Sequence, residues 1–375
     1  MADSLKTFFS PSLVRRLAAD IERVHPSFPS RGFIRDATNG LDELELLDRG
    51  KHITRALERH LPANYPDAID ILLRSLGPEH PSDELIGVGM APFYYLPHTQ
   101  FVATRGLDHL EHFELSMRAQ YELTKRFSAE SSIRPFIAAD PERTLATLRE
   151  WVRDPNAHVR RLVSEGTRLR LPWAMRVQWL DTNPERVLEL LELLRDDPAP
   201  LVRRSVANNL NDLGKVHPAL LARTCGAWLE DAGAERRALV EHALRSAVKR
   251  GDTSALRLLG YGKKAAVTID GVRIVPARVT IGKSVAVHFV VSSTSRSKQE
   301  LLVDLGVHFV KAGGKSARKV FKIKRLVLSA GERVALTKSI SLAVHTTRTP
   351  RPGRHGVDVI VNGETTRVAH FTVIA

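Results

Sequence analysis

The sequence predicts a mainly α-helical protein whose last third forms a separate all-β domain. Apolar residues recur every three or four positions up to about Leu259, which is the period of an amphipathic helix. Beyond Ala265 they alternate with polar residues, which is the period of a β-strand. A helical segment also occurs twice with the same residue pattern, so the helical part is predicted to consist of repeats.

The repeat is clearest in two segments that begin Pro-Glu-Arg, at Pro141 and Pro184, 43 residues apart. Each segment predicts a helix, an Asp-Pro turn and a second helix that carries paired basic residues. The pattern of the second helix also occurs at 124–130 and 235–241, which gives four units at intervals of 35, 43 and 33 residues. Helical hairpins with a period of about 40 residues are typical of a HEAT-like solenoid.

The C-terminal part contains about seven short alternating segments, separated by turns rich in Gly, Ser, Asn and Pro. This spacing predicts an immunoglobulin-like β-sandwich. We place the linker in the Gly-Tyr-Gly-Lys-Lys stretch at 260–264. The expected organisation is therefore a HEAT-like repeat domain over residues 1–260 and an immunoglobulin-like domain over residues 265–375.

The net charge of the chain is confined to its C-terminal end. There are 56 Lys and Arg against 42 Asp and Glu, a net charge of +14, and residues 261–375 hold 20 basic and 6 acidic residues. Clustered cations attract polyanions, so we expect this end to bind nucleic acid, with an anionic membrane surface as the alternative. No apolar run is long enough to span a bilayer, and the single cysteine excludes an intrachain disulfide and a cysteine-based zinc site.

One position of the repeat predicts a functional surface. Equivalent positions in stacked repeats lie in a row, and the last position of the second-helix pattern is acidic or amide-bearing, with an arginine four residues before it. A second row of basic residues lies beside that arginine. The last positions are Glu130, Glu165, Asn208 and Glu241, the arginines are Arg126, Arg161, Arg204 and Arg237, and the second row is Lys125, Arg160, Arg203 and Arg236. Helical ion pairs, or rungs that join one repeat to the next, are the alternative interpretation of both rows.

The surroundings of Glu165 favour a functional site. Gly166 follows the carboxylate in what the period predicts to be a helix interior, where glycine costs about 1 kcal/mol relative to alanine. Glycine permits the close approach of a backbone or a ligand. Arg168 and Trp173 follow within a few residues, so an acid, cations and an indole are expected close together.

At these residues the sequence resembles the AlkC-type alkylpurine DNA glycosylases. The similarity is carried by KRFSAESSIRPFI, DPNAHVRRLVSEGTRLRLPW and DPAPLVRRSVANNLNDLGKVHP, and it extends over nearly the whole chain. The sequence departs from the family at Ser131 and Ser132, where an aromatic residue and an alanine are usual, and at Leu169, where proline is common. Neither departure removes a carboxylate.

The resemblance implies hydrolysis of the N-glycosidic bond of bases alkylated at N3, such as 3-methyladenine and 3-methylcytosine, in a sharply bent duplex and without a base-flipping pocket. We expect Glu130 and Glu165 to stabilise the cationic sugar and orient water. Trp173, Arg168 and Asn208 are expected to support the lesion and its backbone. The residues expected to contact DNA are Lys125, Arg160, Arg161, Arg203, Arg204 and Lys215 in the repeats and Lys315, Arg318, Lys319, Arg351 and Arg354 in the sandwich, whose 346–356 loop also carries Arg348.

Two functions without catalysis remain open on the sequence. A HEAT-like scaffold would bind partner proteins, and an architectural protein would bend DNA without cleaving a glycosidic bond. We expect no cofactor and no metal, because glutamates suffice for the chemistry and the spacing of His109 and His112 lacks a third ligand. We also expect a bacterial, cytoplasmic, nucleoid-associated monomer that acts on damaged double-stranded DNA and not on membranes.

Overall fold

The computed structural model describes residues 5–80, 89–311, 313–344 and 349–375. Within these residues it has fifteen α-helices followed by eight β-strands, so the predicted fold class is confirmed. None of the described helices is long and apolar enough to cross a membrane. The helices are α1 (Pro11–Val24), α2 (Ser30–Thr38), α3 (Leu46–His60), α4 (Tyr65–Ser75), α5 (Leu96–Asp108), α6 (Phe113–Thr124), α7 (Arg134–Ala139), α8 (Pro141–Trp151), α9 (Ala157–Gly166), α10 (Gln178–Thr182), α11 (Pro184–Leu194), α12 (Pro200–Val216), α13 (Pro218–Leu229), α14 (Ala234–Arg250) and α15 (Thr253–Leu258).

The repeated segments form pairs of helices, α8 with α9 and α11 with α12, as the sequence predicts. Pro141, Pro184 and Pro200 stand at the first helical position, where a missing backbone N–H costs nothing. The side chain of Asp140 caps α8 by accepting from the backbone N–H of Arg143. Apolar residues at helical spacing are buried between the pairs, among them Leu148, Val159, Leu162, Leu191, Val202 and Val206.

The chain divides into two compact units. One comprises the residues up to Val216 together with Ala232–Ala243, and the other comprises His217–Asp231 and Leu244–Ala375. The second unit therefore holds α13 and α15 as well as all the strands. In it, Leu256 of α15 packs with Tyr261 and with Leu302 of the sandwich.

The sandwich consists of a three-stranded and a five-stranded sheet. Its strands are β1 (Val267–Val275), β2 (Arg278–Thr280), β3 (Ser284–Ser293), β4 (Gln299–Val310), β5 (Ser316–Leu328), β6 (Arg333–Ser341), β7 (Gly353–Val361) and β8 (Glu364–Ile374). The strand orders are β1-β3-β6 and β2-β8-β7-β4-β5, with only β2 and β8 parallel among the described pairs. Alternate residues of β3 are buried, so period-2 patterning places one face of the sheet on the core. The eight strands compare with about seven that the alternating segments predict.

Candidate functional site

The structure brings the two predicted carboxylates together around one arginine. Nη2 of Arg161 lies 2.8 Å from Oε2 of Glu130 and 4.0 Å from Oε1 of Glu165. Arg161 and Glu165 lie one turn apart on α9, whereas Glu130 comes from the preceding repeat, between α6 and α7. The side chain of Arg161 is 17% exposed, so this contact is partly shielded from solvent.

Glu130 reaches this position from a turn rather than from a helix. Helix α6 ends at Thr124, so residues 125–133 are non-helical and the expected helical pairing of Arg126 with Glu130 is wrong. Arg126 instead pairs with Glu122 at 3.0 Å and donates to the carbonyl of Gly77. The hydroxyl of Ser128 donates to Oε2 of Glu130 at 2.7 Å and fixes the carboxylate from its own turn.

Glu165 lies deeper than Glu130. Its side chain is 7% exposed against 25% for Glu130. Arg168 donates to its Oε1 at 2.5 Å and Ser205, from the next repeat, donates to its Oε2 at 2.5 Å. The two carboxylates therefore form an inner and an outer layer, and only Glu130 lines open space.

The ion pairs continue from Glu165 into the third repeat. Nε of Arg168 donates to Oδ2 of Asp212 at 2.9 Å, and Nζ of Lys215 lies 2.7 Å from Oδ1 of the same carboxylate. Burial alone would lower the pKa of Arg168, but the carboxylates of Glu165 and Asp212 outweigh it and raise that pKa. Acid and base thus alternate along a chain of six residues, Glu130, Arg161, Glu165, Arg168, Asp212 and Lys215, which we call the charge chain.

The sequence did not predict two of these contacts. They are the hydrogen bond that Ser205 donates to Glu165 and the pairing of Arg168 with Asp212. Ser205 occupies the position in its repeat that Leu162 occupies in the repeat before it. A hydroxyl at a buried apolar position needs a hydrogen-bonding partner, and that substitution was the available signal.

A cleft of about 240 Å³ opens beside Glu130. No pocket was expected here from the residue pattern. The lining of the cleft is largely apolar and aromatic, and it also includes hydroxyl, carboxylate and guanidinium groups. Its lining includes Leu96, Phe93, Phe127, Trp173, Ser128, Ser131, Glu130 and Arg161. An apolar cleft with a few converging polar groups is the usual form of a binding site.

Trp173 stands in a non-helical loop formed by residues 167–177, the Trp173 loop. Its side chain is 71% exposed and its φ is 61°, a left-handed conformation that is rare for bulky residues. Met175 in the same loop is also exposed. Two large apolar side chains on one exposed loop are unusual for a soluble surface and are typical of a contact region.

The expectation that Gly166 interrupts a helix interior is wrong, because α9 ends at Gly166. A Cβ at this position would lie 2.6 Å from Cγ2 of Ile133. The glycine therefore permits the close packing of α9 against the residue before α7, and not the approach of a ligand. Leu169, where the family commonly has proline, is buried.

Five of the six basic residues of the repeats that were expected to contact phosphates are held in ion pairs, Arg161 and Lys215 within the charge chain and three others outside it. Nε of Arg160 lies 2.6 Å from Asp197 of the next repeat, Arg203 lies 3.1 Å from Glu235, and Lys125 contacts Glu79 and Glu122; the three cations are 12–13% exposed. This geometry favours rungs between repeats. Arg204 is exposed, and Lys215 is 43% exposed although it pairs with Asp212, so these two fit a role in DNA contact better. For all six residues that role stays a prediction.

The amide side chains of the third repeat also bond to the neighbouring repeats. Nδ2 of Asn209 donates to the carbonyl of Ser164 at 2.8 Å, and Oδ1 of Asn208 lies 3.1 Å from Nε2 of His242. Arg168, expected near the lesion, is buried and directed into the charge chain. Support of the lesion by Asn208 and Arg168 remains a prediction.

The basic residues of the sandwich lie on the surface. Gly313 and Gly314 both have positive φ and form the turn between β4 and β5, next to exposed Lys315, Arg318 and Lys319. Arg351 and Arg354 are also exposed, and Arg348 lies outside the described residues. Among the described residues there is no cluster of three or more His, Cys, Asp or Glu suited to a metal ion.

Comparison with known proteins identifies the family. Residues 127–250 match the model of the DNA alkylation repair enzyme family, and residues 268–375 match the C-terminal immunoglobulin-like domain of the uncharacterised protein YhaZ. The uncharacterized protein YhaZ of Bacillus subtilis (strain 168) is 34% identical over 375 residues, which is the whole of both chains.

A solved structure agrees with these matches over the whole chain. It is the alkylpurine DNA glycosylase AlkC of Pseudomonas fluorescens, bound to DNA containing an abasic site analog. The two proteins superpose with a TM-score of 0.90 at 36% identity, over 99% of this chain and 100% of the other. The chain therefore belongs to the AlkC-type family of DNA alkylation repair proteins.

Proposed function

We propose that this protein is a monofunctional DNA glycosylase that hydrolyses the N-glycosidic bond of N3-alkylated bases in duplex DNA, 3-methyladenine and 3-methylcytosine among them. The observation that carries the proposal is that Glu130 and Trp173 both line one cleft. The relationship to the Pseudomonas enzyme, which is an alkylpurine DNA glycosylase, supports the reaction class.

The chemistry needs little from the protein beyond fixed negative charge. An N3-alkylated base carries a positive charge, so it leaves as a neutral molecule and needs no general acid. The sugar becomes cationic as the bond breaks, as in glycoside hydrolysis, and a carboxylate held in place stabilises that charge. Glu130 is held in place by Ser128 and Arg161, and it remains the outermost acid of the charge chain.

In this proposal the two carboxylates have different tasks. Glu130 contacts the sugar or the attacking water. Glu165 contributes a second negative charge from behind Arg161 and holds that arginine between the two acids. Arg168 and Ser205 hold the carboxylate of Glu165 in its orientation, because both donate hydrogen bonds to it.

We also propose that the lesion is reached without extrusion of the base. Trp173 and Met175 protrude from their loop and can contact an exposed base in a bent duplex. No lysine is among the described residues that line the cleft, which supports simple hydrolysis over Schiff-base chemistry. We further propose that the protein acts as a monomer, in the cytoplasm and at the nucleoid.

The test is incubation of the purified protein with methylated duplex DNA and chromatography of the released bases. We expect free 3-methyladenine and 3-methylcytosine, together with abasic sites that break only after alkali. Tight binding with no released base would leave the architectural DNA-binding function in place of the enzyme. Strand breakage without alkali would contradict the monofunctional assignment.

The basic surface of the sandwich gives a second measurable expectation. Replacing Lys315, Arg318 and Lys319 by alanine should weaken duplex binding and flatten the dependence of log Kd on log salt by about 0.9 for each phosphate that the variant no longer neutralises. A matched control is the triple alanine variant of Arg143, Arg149 and Arg186, which removes the same charge from α8 and α11, where each arginine pairs with a glutamate. Equal slopes for the two variants would show that only net charge matters.

A further inference from the structure

One buried arginine contacts the Trp173 loop on both sides of its tryptophan. Arg134, the first residue of α7, is 1% exposed. Its Nε donates to the carbonyl of Met175 at 2.7 Å, and its Nη1 donates to the carbonyls of Gly166 and Arg168, each at 2.8 Å. Two of these carbonyls precede Trp173 in the chain and one follows it.

A buried guanidinium is costly unless its donors are used. Among the described residues no carboxylate lies within ion-pair distance of Arg134, and burial, followed by the neighbouring charge of Arg168, lowers its pKa to about 10. An apolar side chain of similar size would avoid that cost. The rigid fork of an arginine can bond several carbonyls at once in a fixed geometry, which the flexible ammonium of a lysine does not impose. The position therefore fits the task of joining backbone segments.

The segment that it joins needs a restraint. Trp173 combines a left-handed backbone with an indole that is largely exposed. Such conformations cost on the order of 1–3 kcal/mol and persist only where the surroundings hold them. The packing of Ile133 against Gly166 anchors the beginning of the loop, and the bond from Arg134 to Met175 anchors its far side.

We propose that Arg134 is a positioning residue that holds the Trp173 loop against α7, so that Trp173 is presented at a fixed distance from Glu130. Glu130 lies four residues before Arg134, so the turn that carries the outer acid and the tether of the tryptophan belong to one short stretch of chain. This inference rests on the proposed glycosylase function. In this proposal Arg134 contacts neither DNA nor the lesion, but it sets the position of Trp173, which does.

The first test is a double-mutant cycle. Arg134→Lys keeps the charge but loses the fork, and a small misplacement of a contact residue lowers rates by about tenfold or more. Single-turnover excision rates are measured for Arg134→Lys, Trp173→Ala and the double variant. If Arg134 acts through Trp173, the double variant is no slower than Trp173→Ala. A double variant whose rate falls by the product of the two single effects overturns the proposal.

The second test does not depend on catalysis. Arg176 lies exposed in the same loop, and trypsin cleavage after it, followed by mass spectrometry of the fragments, reports how firmly the loop is held. We expect Arg134→Lys to speed this cleavage several-fold at a temperature where the variant is folded. An unchanged cleavage rate would refute the tether even in a protein that releases no base, so failure of the proposed function and failure of this inference are distinguishable.

The chain offers a matched control in Arg49. This arginine is 5% exposed and also donates to three backbone carbonyls, those of Phe9, Asp42 and Leu44. Arg49→Lys should cost similar stability, read as a shift of Tm, but leave the excision rate and the cleavage after Arg176 unchanged. Equal effects of the two lysine variants on the loop would mean that general loosening of the fold explains the result, which contradicts a specific role for Arg134.

Discussion

Glu130→Gln is expected to lower the rate of base excision by about a hundredfold, which is the usual size of the loss when one preorganised charged group is removed from an active site. The amide keeps the shape of the side chain and can still accept from Ser128 and Arg161. What it loses is the negative charge beside the cleft. Single-turnover excision of 3-methyladenine from a defined duplex measures the effect.

The stability of this variant should change little. The Glu130–Arg161 pair is partly exposed, at 25% and 17%, and such pairs contribute at most about 1 kcal/mol to the free energy of unfolding. Glu122→Gln is a matched control, because Glu122 has similar exposure and pairs with Lys125 and Arg126 but does not line the cleft. Equal excision rates for the Glu130 variant and the wild-type protein would remove Glu130 from the mechanism.

Local periodicity predicted the parts of the structure that depend on neighbours in sequence. Burial on one face of a helix or strand imposes a period on the sequence. That period predicted the helix pairs beginning at Pro141 and Pro184, and it predicted the alternating strands of the sandwich. The same argument failed for residues 124–130, which have the residue pattern of the repeat, because α6 ends at Thr124 and the rest of this segment is a turn. Pattern similarity at seven positions was not enough to specify a helix.

The partners of charged residues could not be predicted, because they depend on distant parts of the chain. Arg160 pairs with Asp197, 37 residues away, and Arg168 with Asp212, 44 residues away. On the sequence, Arg160 and Arg204 are equally good candidates for binding phosphates. In the structure one is an internal rung and the other lies on the surface. For the same reason, the sequence could not predict that Glu165 is more deeply buried than Glu130.

Because Glu165 is buried, Glu165→Gln is expected to lower stability as well as the excision rate, whereas the Glu130 variant should lose only the rate. Glu165 is buried and accepts from both Arg168 and Ser205. Removing one charge of a buried pair costs about 3 kcal/mol or more when the partner is left uncompensated, although Asp212 retains part of the charge balance of Arg168. We therefore expect a lower free energy of unfolding, measured by urea denaturation, together with an excision rate at least about tenfold lower.

The two effects of Glu165→Gln can be separated by comparison with Asp197→Asn. Asp197 is 3% exposed and pairs with Arg160 across the same repeats, but it is not a member of the charge chain. Both variants should lose similar stability, and both are assayed at a temperature at which each is fully folded. Under those conditions only Glu165→Gln should be slow, while its affinity for an abasic-site duplex stays within about threefold of wild type. If Asp197→Asn is equally slow, the loss follows from weakened packing between repeats, and Glu165 has no electrostatic part in bond cleavage.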